Sequence, residues 1–192
     1  MKGINMKSAF KNQIIGVVIF LMIPLISLPA LAQEKIKWMS FEEAIEHSQK
    51  KPKHIFIDVY TDWCGWCKKM DASTFVDPVI VELMNKHFYA VKFDAEQKDT
   101  IYFLDNAFVN PNPEGRRSSH QLAQALLKGK MSYPSFVFLN SKKEWLTVLN
   151  GFTKSPDMER VLTYFGENTY EKQSWEDFTA SFESNLPAEE SQ

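Results

Sequence analysis

The chain has 192 residues, of which 44% are hydrophobic, and it carries a formal net charge of −2 at pH 7. This acidic balance argues against nucleic acid as a partner, because proteins bind phosphate backbones through an excess of lysine and arginine. The chain has two cysteines, Cys64 and Cys67, so it lacks the disulfide framework of a small secreted protein.

The first 32 residues have the pattern of a targeting segment. Three lysines precede an uncharged, largely apolar stretch over residues 14–32, which ends in Ala30-Leu31-Ala32, a sequence that a signal peptidase recognises. An uncleaved membrane anchor is the alternative, since the apolar run approaches the roughly 20 residues of a spanning helix. The prolines inside the apolar stretch favour a signal peptide that is cleaved off over a membrane anchor that is kept. We therefore predict a signal peptide over 1–32 and a periplasmic or secreted protein, residues 33–192, that keeps no membrane segment.

Residues 33–192 suit the size of one domain with its own hydrophobic core, and we expect a monomer. A first helix begins at a capping box, in which Ser40 and Glu43 satisfy each other's backbone amides, and it runs to about Lys50. The run His54–Tyr60, rich in β-branched and aromatic residues, predicts a strand buried on both faces.

The cysteine motif follows this strand directly. A helix is predicted from Cys67, with a pause near Ser73-Thr74 and a restart at Asp77-Pro78, where the aspartate caps and the proline takes the first helical position. A second strand over Phe88–Phe93 completes a βαβ unit.

Two further strands, Ser135–Leu139 and Trp145–Leu149, are expected to pair antiparallel across a short loop. Helices are predicted from Ser155 to about Phe165 and again from Ser174. The order βαβ then ββα, with an extra helix in front, predicts an α/β fold in which helices flank a mixed central sheet.

The stretch Asp58–Lys68 resembles the thioredoxin family, in which an aspartate stands six positions before the first cysteine of a Trp-Cys-Gly-x-Cys-Lys sequence. The likeness continues at Val91–Asp94, at Tyr133-Pro134 and at Gly151, so that residues 35–166 fit the family pattern. The resemblance implies the thioredoxin fold, a cis bond before Pro134, disulfide exchange with protein thiols, and a shallow groove beside Pro134 in which a substrate lies extended.

The position of the cysteines supports the same chemistry. Cys64 stands at a helix start, where unpaired amides and the helix dipole stabilise a thiolate. We expect it to attack a substrate disulfide, after which Cys67, one turn later, attacks Cys64 and releases the reduced product. This exchange requires neither a cofactor nor a metal.

Three other uses of the cysteine pair fit the sequence less well. A zinc site needs about four ligands, and the four histidines show no ligand spacing from the cysteines. Attachment of a c-type haem needs a histidine where Lys68 stands. An inert structural disulfide would close too small a loop to stabilise much.

Asp58 is expected to be buried, because Phe56 and Tyr60 share its face of the strand. The alternative is a strand end turned to solvent. If buried, Asp58 would have a raised pKa and could take the proton of Cys67 during resolution. For Lys68 a solvated side chain is the first expectation and a direct catalytic part the alternative.

Aromatic residues flank the cysteines. We expect Trp63 to belong partly to the core and Trp66, on an exposed turn, to contact a partner. Gly65 and Trp66 supply no cation or hydrogen bond to sulfur, and a buried Asp58 would oppose negative charge, so a reductant is predicted. Tyr133 replaces an aliphatic residue common in thioredoxin, which should change the shape of the groove.

The chain is longer than thioredoxin between the second strand and the cis-proline. An insertion over about 98–118 is predicted to form a hairpin turned at Asp105-Asn106, followed by a helix over 120–128. It either shapes the substrate groove or is a surface loop without a role. Residues 167–192 form a C-terminal extension.

Two functions of different classes follow. The first is an extracytoplasmic thiol–disulfide oxidoreductase that exchanges electrons with protein thiols and with an unidentified redox partner. The second is a thioredoxin-fold binding or chaperone module, in which the thiols are incidental and the groove beside Trp66 and Pro134 binds the partner.

Overall fold

A computed structural model describes residues 33–187 as a central sheet with helices on both faces. The strands are β1 (Trp38–Met39), β2 (His54–Tyr60), β3 (Phe88–Asp94), β4 (Ile101–Phe103), β5 (Asn106–Phe108), β6 (Ser135–Leu139) and β7 (Trp145–Asn150). The helices are α1 (Phe41–Lys50), α2 (Gly65–Ala72), α3 (Pro78–His87), α4 (Gln121–Leu126), α5 (Ser155–Gly166) and α6 (Trp175–Ser181).

Five strands form the main sheet in the order β1-β3-β2-β6-β7. Strand β3 runs parallel to both β1 and β2, while β6 runs antiparallel to β2 and to β7. The predicted mixed sheet flanked by helices, with an additional C-terminal helix, is confirmed. Strand β1 was not predicted, because two residues are too short to show a periodicity.

Local signals set most of the helix boundaries. The capping box is present, with the Ser40 hydroxyl accepting from the Glu43 amide and the Glu43 carboxylate accepting from the Ser40 amide. The predicted pause after α2 is a 3-10 turn at Thr74–Val76, and α3 then starts with Asp77 as cap and Pro78 in its first turn.

The two faces of the sheet carry separate apolar clusters. One face packs against α1, α4 and the β4–β5 hairpin through Phe41, Leu122 and Phe103. The other packs against α2, α3 and α5 through Met70, Ile80 and Met158. Strand β2 lies between the clusters and is buried on both faces, as its composition predicts.

The predicted hairpin is present, but its turn is displaced by one residue. Asn106 belongs to β5 and pairs with Phe103, whereas the turn consists of Leu104 and Asp105 with φ of 49° and 59°. A two-residue turn of this kind requires positive φ at both central residues. The next helix is also shorter than predicted, since His120 is its cap and α4 ends at Leu126.

Within residues 33–187 no helix is both long and apolar enough to cross a membrane. The signal peptide predicted over 1–32 lies outside the described residues, and so does the end of the C-terminal extension, 188–192.

Candidate active site

The two cysteines lie at the junction between β2 and α2. Cys64 is the N-cap of α2, and its sulfur accepts a hydrogen bond from the Cys67 backbone amide at 3.0 Å. The two sulfurs form a disulfide. Cys64 is 5% exposed and Cys67 2%, so the oxidised pair presents little surface. A Cβ placed on Gly65 would meet nothing within 4 Å, which leaves open space beside Cys64.

An exposed aromatic rim surrounds the cysteine turn. Trp63 and Trp66 are 50% and 56% exposed. The Trp63 ring packs edge-to-face on Tyr133 with centroids 5.7 Å apart, and its indole N–H donates to Glu96 Oε1 at 3.0 Å. The Trp66 ring lies 5.4 Å from that of Phe152. Both indoles therefore present a free surface next to the disulfide.

The loop before β6 forms the neighbouring wall. The peptide bond between Tyr133 and Pro134 is cis, and the Pro134 carbonyl accepts from the Gly151 amide at 2.8 Å. Gly151 has φ of 89°, a backbone conformation that residues other than glycine rarely adopt. The contact between Tyr133 and Trp63 places this loop beside the cysteine turn.

Asp58 lies in the middle of the sheet and is 1% exposed, so its burial agrees with the strand pattern. Its Oδ2 accepts from Lys92 Nζ at 2.6 Å, and its Oδ1 has no hydrogen-bond partner within residues 33–187. Burial raises the pKa of Asp58 to about 6, although the Lys92 charge and hydrogen bond act in the opposite direction.

Lys92 was not predicted as a site residue. It also contacts Asp71 Oδ1 at 2.5 Å, and its ammonium lies 5.0 Å from the Trp38 ring centroid and 5.5 Å from that of Phe75. Burial lowers the pKa of Lys92, but the two carboxylates outweigh it, so the net direction is upward.

One signal could have revealed this pair. Asp58 and Lys92 are partners in the register of two parallel strands, β2 and β3, and each is a charged residue between apolar neighbours. Pairing opposite charges on adjacent strands is the usual way to bury them.

Asp71 connects the buried pair to the cysteine helix. It lies on α2, four residues after Cys67, so the two side chains project from the same helix face. A groove of about 410 Å³, lined by Asp71, Lys92 and Trp38 among others, opens beside them. The carboxyl group of Asp58 is thus linked through Lys92 to a solvent-facing carboxylate near the second cysteine.

Other predicted residues stay apart from this charge network. Lys68 is exposed and makes no ion pair within residues 33–187. The same range of the chain holds no group of three or more His, Cys, Asp or Glu side chains arranged for a metal ion. The insertion does reach the site, because the Arg117 guanidinium lies 4.8 Å from the Trp63 ring centroid.

Sequence and fold comparisons relate the chain to known proteins. The sequence model of the Thioredox_DsbH family, described as "Protein of unknown function, DUF255", matches residues 27–177. The Disulfide bond reductase DsbH of Chlamydia pneumoniae is 28% identical over 117 residues, which are 60% of this chain and 63% of that protein. Human Spermatogenesis-associated protein 20 is 28% identical over 85 residues, which are 44% of this chain and 11% of its own.

The chain therefore spans less than two thirds of the length of either relative. Among solved structures, a thioredoxin from Thermus thermophilus superimposes with a TM-score of 0.52 at 17% identity, covering 68% of this chain and 87% of its own. This similarity establishes the thioredoxin fold.

Proposed function

The chain belongs to the Thioredox_DsbH family, and from that premise we propose that it is an exported thiol–disulfide oxidoreductase that reduces disulfides in other proteins. The observation that carries the proposal is the Cys64–Cys67 disulfide at the start of α2, with Cys64 as the cap. A sulfur in that position faces the amides of the first helical turn, which stabilise a thiolate.

The reaction balances with the two cysteines alone. The Cys64 thiolate attacks one sulfur of a substrate disulfide, which breaks the substrate bond, forms a mixed disulfide and releases one substrate thiolate. Cys67 then loses its proton and attacks the Cys64 sulfur, so the second substrate thiolate leaves and the Cys64–Cys67 disulfide forms. The substrate gains two electrons and two protons. An external dithiol partner has to reduce the protein again.

Asp58 is proposed as the group that receives the Cys67 proton. A base is most effective when its pKa is close to the working pH, and burial has raised the pKa of this carboxyl group to about 6. Its Oδ1 is free of hydrogen bonds within residues 33–187, so one oxygen is available for a proton. Lys92 and Asp71 provide a polar connection from Asp58 to the groove beside α2.

The surroundings of the Cys64 sulfur support the proposed direction of electron flow. Within residues 33–187 it accepts a hydrogen bond from the Cys67 amide and none from a side chain. A strong oxidant requires a highly stabilised thiolate, and a nearby buried carboxyl group works against one. The name of the Chlamydia pneumoniae relative, a disulfide bond reductase, supports the same direction. We expect a reduction potential closer to that of thioredoxin, about −270 mV, than to that of a strong disulfide oxidant, about −120 mV.

Equilibration against glutathione buffers measures this potential. A value more positive than about −180 mV would contradict the role of a reductant, because the protein would then accept electrons from most protein thiols.

Export is proposed from the pattern of residues 1–32, and fractionation of cells expressing the full chain tests it: recovery from the cytoplasm would contradict export.

Insulin reduction with dithiothreitol as electron source tests the activity. We expect turnover in the native chain and none in Cys64→Ser. Cys67→Ala should instead form a mixed disulfide with insulin that persists, since the resolving thiol is missing. Lack of turnover in the native chain would contradict the proposed oxidoreductase activity and favour a binding module in which the thiols are incidental.

A further inference from the structure

We propose that the inserted loop and helix α2 give the active site a preference for acidic substrate segments, through Arg117 and Lys69. This inference rests on the proposed function and names the chemistry of the partner. The ligand is a disulfide-bonded protein segment that carries glutamate or aspartate next to its cysteine.

Each exposed tryptophan beside the disulfide carries a stacked cation. The Arg117 guanidinium lies over the Trp63 ring at 4.8 Å, and Lys69 Nζ lies 5.1 Å from the Trp66 ring centroid and 5.0 Å from that of Phe152. A cation over an aromatic ring is attracted by the face of the ring and keeps its N–H groups at the edge free. Each tryptophan therefore carries one cation over its ring, Arg117 on Trp63 and Lys69 on Trp66.

Neither cation has an acidic partner of its own. The ion pairs within residues 33–187 involve neither Arg117 nor Lys69, and both side chains are exposed. Glu96 accepts the Trp63 indole N–H, and within residues 33–187 it forms no ion pair with Arg117. The free edges of Arg117 match the two oxygens of a carboxylate.

The backbone of the loop holds Arg117 in position. Arg117 has φ of 58°, and its neighbour Ser118 is fixed by the buried Asn110 side chain. The Asn110 amide group donates to the Ser118 carbonyl at 2.9 Å and to the Glu96 carbonyl at 3.1 Å, while its oxygen accepts from the Ser118 hydroxyl at 2.6 Å. This network ties the loop to the segment that bonds Trp63.

Arg117 also adjoins the wall where a substrate chain would lie. Trp63 contacts both Arg117 and Tyr133, the residue before the cis-proline. An extended segment bound beside Pro134 would pass within reach of the guanidinium. The whole chain is slightly acidic, with a net charge of −2, so attraction of an acidic partner has to come from these local cations.

The test uses three synthetic peptides that each contain one internal disulfide and differ only in the residues flanking the first cysteine: Glu, Gln or Lys. The second-order rate constant for reduction by the pre-reduced protein is divided by the rate constant with dithiothreitol, which corrects for the reactivity of each peptide. We expect the native chain to prefer the Glu peptide over the Gln peptide by about fivefold, the size of one partly exposed ion pair.

Variants assign the preference to the two cations. Arg117→Ala should lower the preference to about twofold, and the double variant with Lys69→Ala should abolish it, because the rate with the Glu peptide falls more than the rate with the Gln peptide. Arg117→Glu should favour the Lys peptide. Lys142→Ala is the matched control, because this exposed lysine lies in the loop at the other end of β6, and it should behave as the native chain.

Equal corrected rates with the Glu and Gln peptides in the native chain would overturn this inference and leave the oxidoreductase intact. A preference that survives in the double variant would also overturn it, as would an equal loss for all peptides in Arg117→Ala, which would indicate a structural role. If the native chain reduces none of the three peptides, the proposed function itself fails.

Discussion

The carboxyl group of Asp58 lies in surroundings that penalise its charge. Burial raises its pKa from an ordinary 3.8 to about 6 even though Lys92 is in contact with it. The folded protein therefore keeps this proton at pH values where the unfolded chain has released it, and the free energy of unfolding falls as the pH rises from about 4 to about 6. A buried carboxyl group that destabilises the fold at neutral pH is explained by the proposed role of Asp58, which is to receive the proton of Cys67.

Replacing the carboxyl group by an amide should therefore stabilise the protein. We expect Asp58→Asn to increase the free energy of unfolding at pH 7 by at most about 3 kcal/mol, the equivalent of the pKa shift. The gain should disappear below about pH 4, where the carboxyl group is protonated in both states. Urea unfolding at both pH values measures it, and a stability loss at pH 7 would mean that the Lys92 ion pair outweighs the cost of burial.

Substitutions of the two charged neighbours of Asp58, Lys92 and Asp71, should shift the pH profile of the resolution step in opposite directions. Lys92→Met removes the favourable charge and should shift the midpoint of the pH profile for resolution of the mixed disulfide upward from about 6. Asp71→Asn removes a carboxylate that raises the pKa of Asp58, so the midpoint should move downward. Stopped-flow kinetics with a preformed mixed disulfide reports the midpoints, and shifts of the same sign would exclude Asp58 as the titrating group.

At the scale of elements, a buried amide side chain fixes the part of the insertion that carries Arg117. Asn110 donates to three backbone carbonyls, those of Glu96, Gln97 and Ser118, and its oxygen accepts from Asn112 and from the Ser118 hydroxyl. No other residue type of similar size offers two donors and an acceptor in this arrangement. The segment that carries Arg117 therefore depends on it.

Asn110→Ala should lower the free energy of unfolding by about 2 kcal/mol, because it leaves several buried backbone groups without partners. The preference for the Glu peptide should fall with it, since Ser118 and Arg117 lose their support. Asn106→Ala is the control: Asn106 is exposed in β5, and its loss should cost less than about 0.5 kcal/mol. Equal effects of the two variants would show that the network does not hold the loop.

The elements also show what the sequence alone could predict. The caps at Ser40 and Asp77 and the hairpin around Asp105 depend on residues close together in the chain, and their patterns identified them. The Asp58–Lys92 pair, the contact of Arg117 with Trp63 and the short strand β1 depend on strand register and loop placement. Sequence neighbours do not specify these contacts. For the Asp58–Lys92 pair the sequence shows a charged residue between apolar neighbours in each strand, but only the register of the folded sheet joins the two.

At the scale of the whole molecule, residues 184 and 185 of the C-terminal extension bond a buried side chain of the domain. Glu159 of α5 is fully buried, and its carboxyl oxygens accept from the Ser184 hydroxyl, the Asn185 backbone amide and the Asn185 side chain. Residues 184 and 185 are therefore part of the folded unit.

Removing residues 183–192 should leave these oxygens buried without donors. We expect the truncation to lower the free energy of unfolding by about 2–3 kcal/mol. In the truncated chain Glu159→Met should recover part of the loss, whereas in the full chain the same change should destabilise. Thermal unfolding is compared for the full chain, the truncated chain, Glu159→Met and the truncated Glu159→Met chain. Additive effects on the free energy of unfolding would show that Glu159 and the extension are independent.

The two edges of the main sheet differ in a way that bears on handling the protein at high concentration. One edge is β1, with two residues, and the other is β7, with six. A long edge strand offers unpaired backbone groups to another copy and is the usual starting point of aggregation. A lysine in place of Thr147, in the middle of β7, should therefore delay precipitation during concentration and storage more than any charge added along β1.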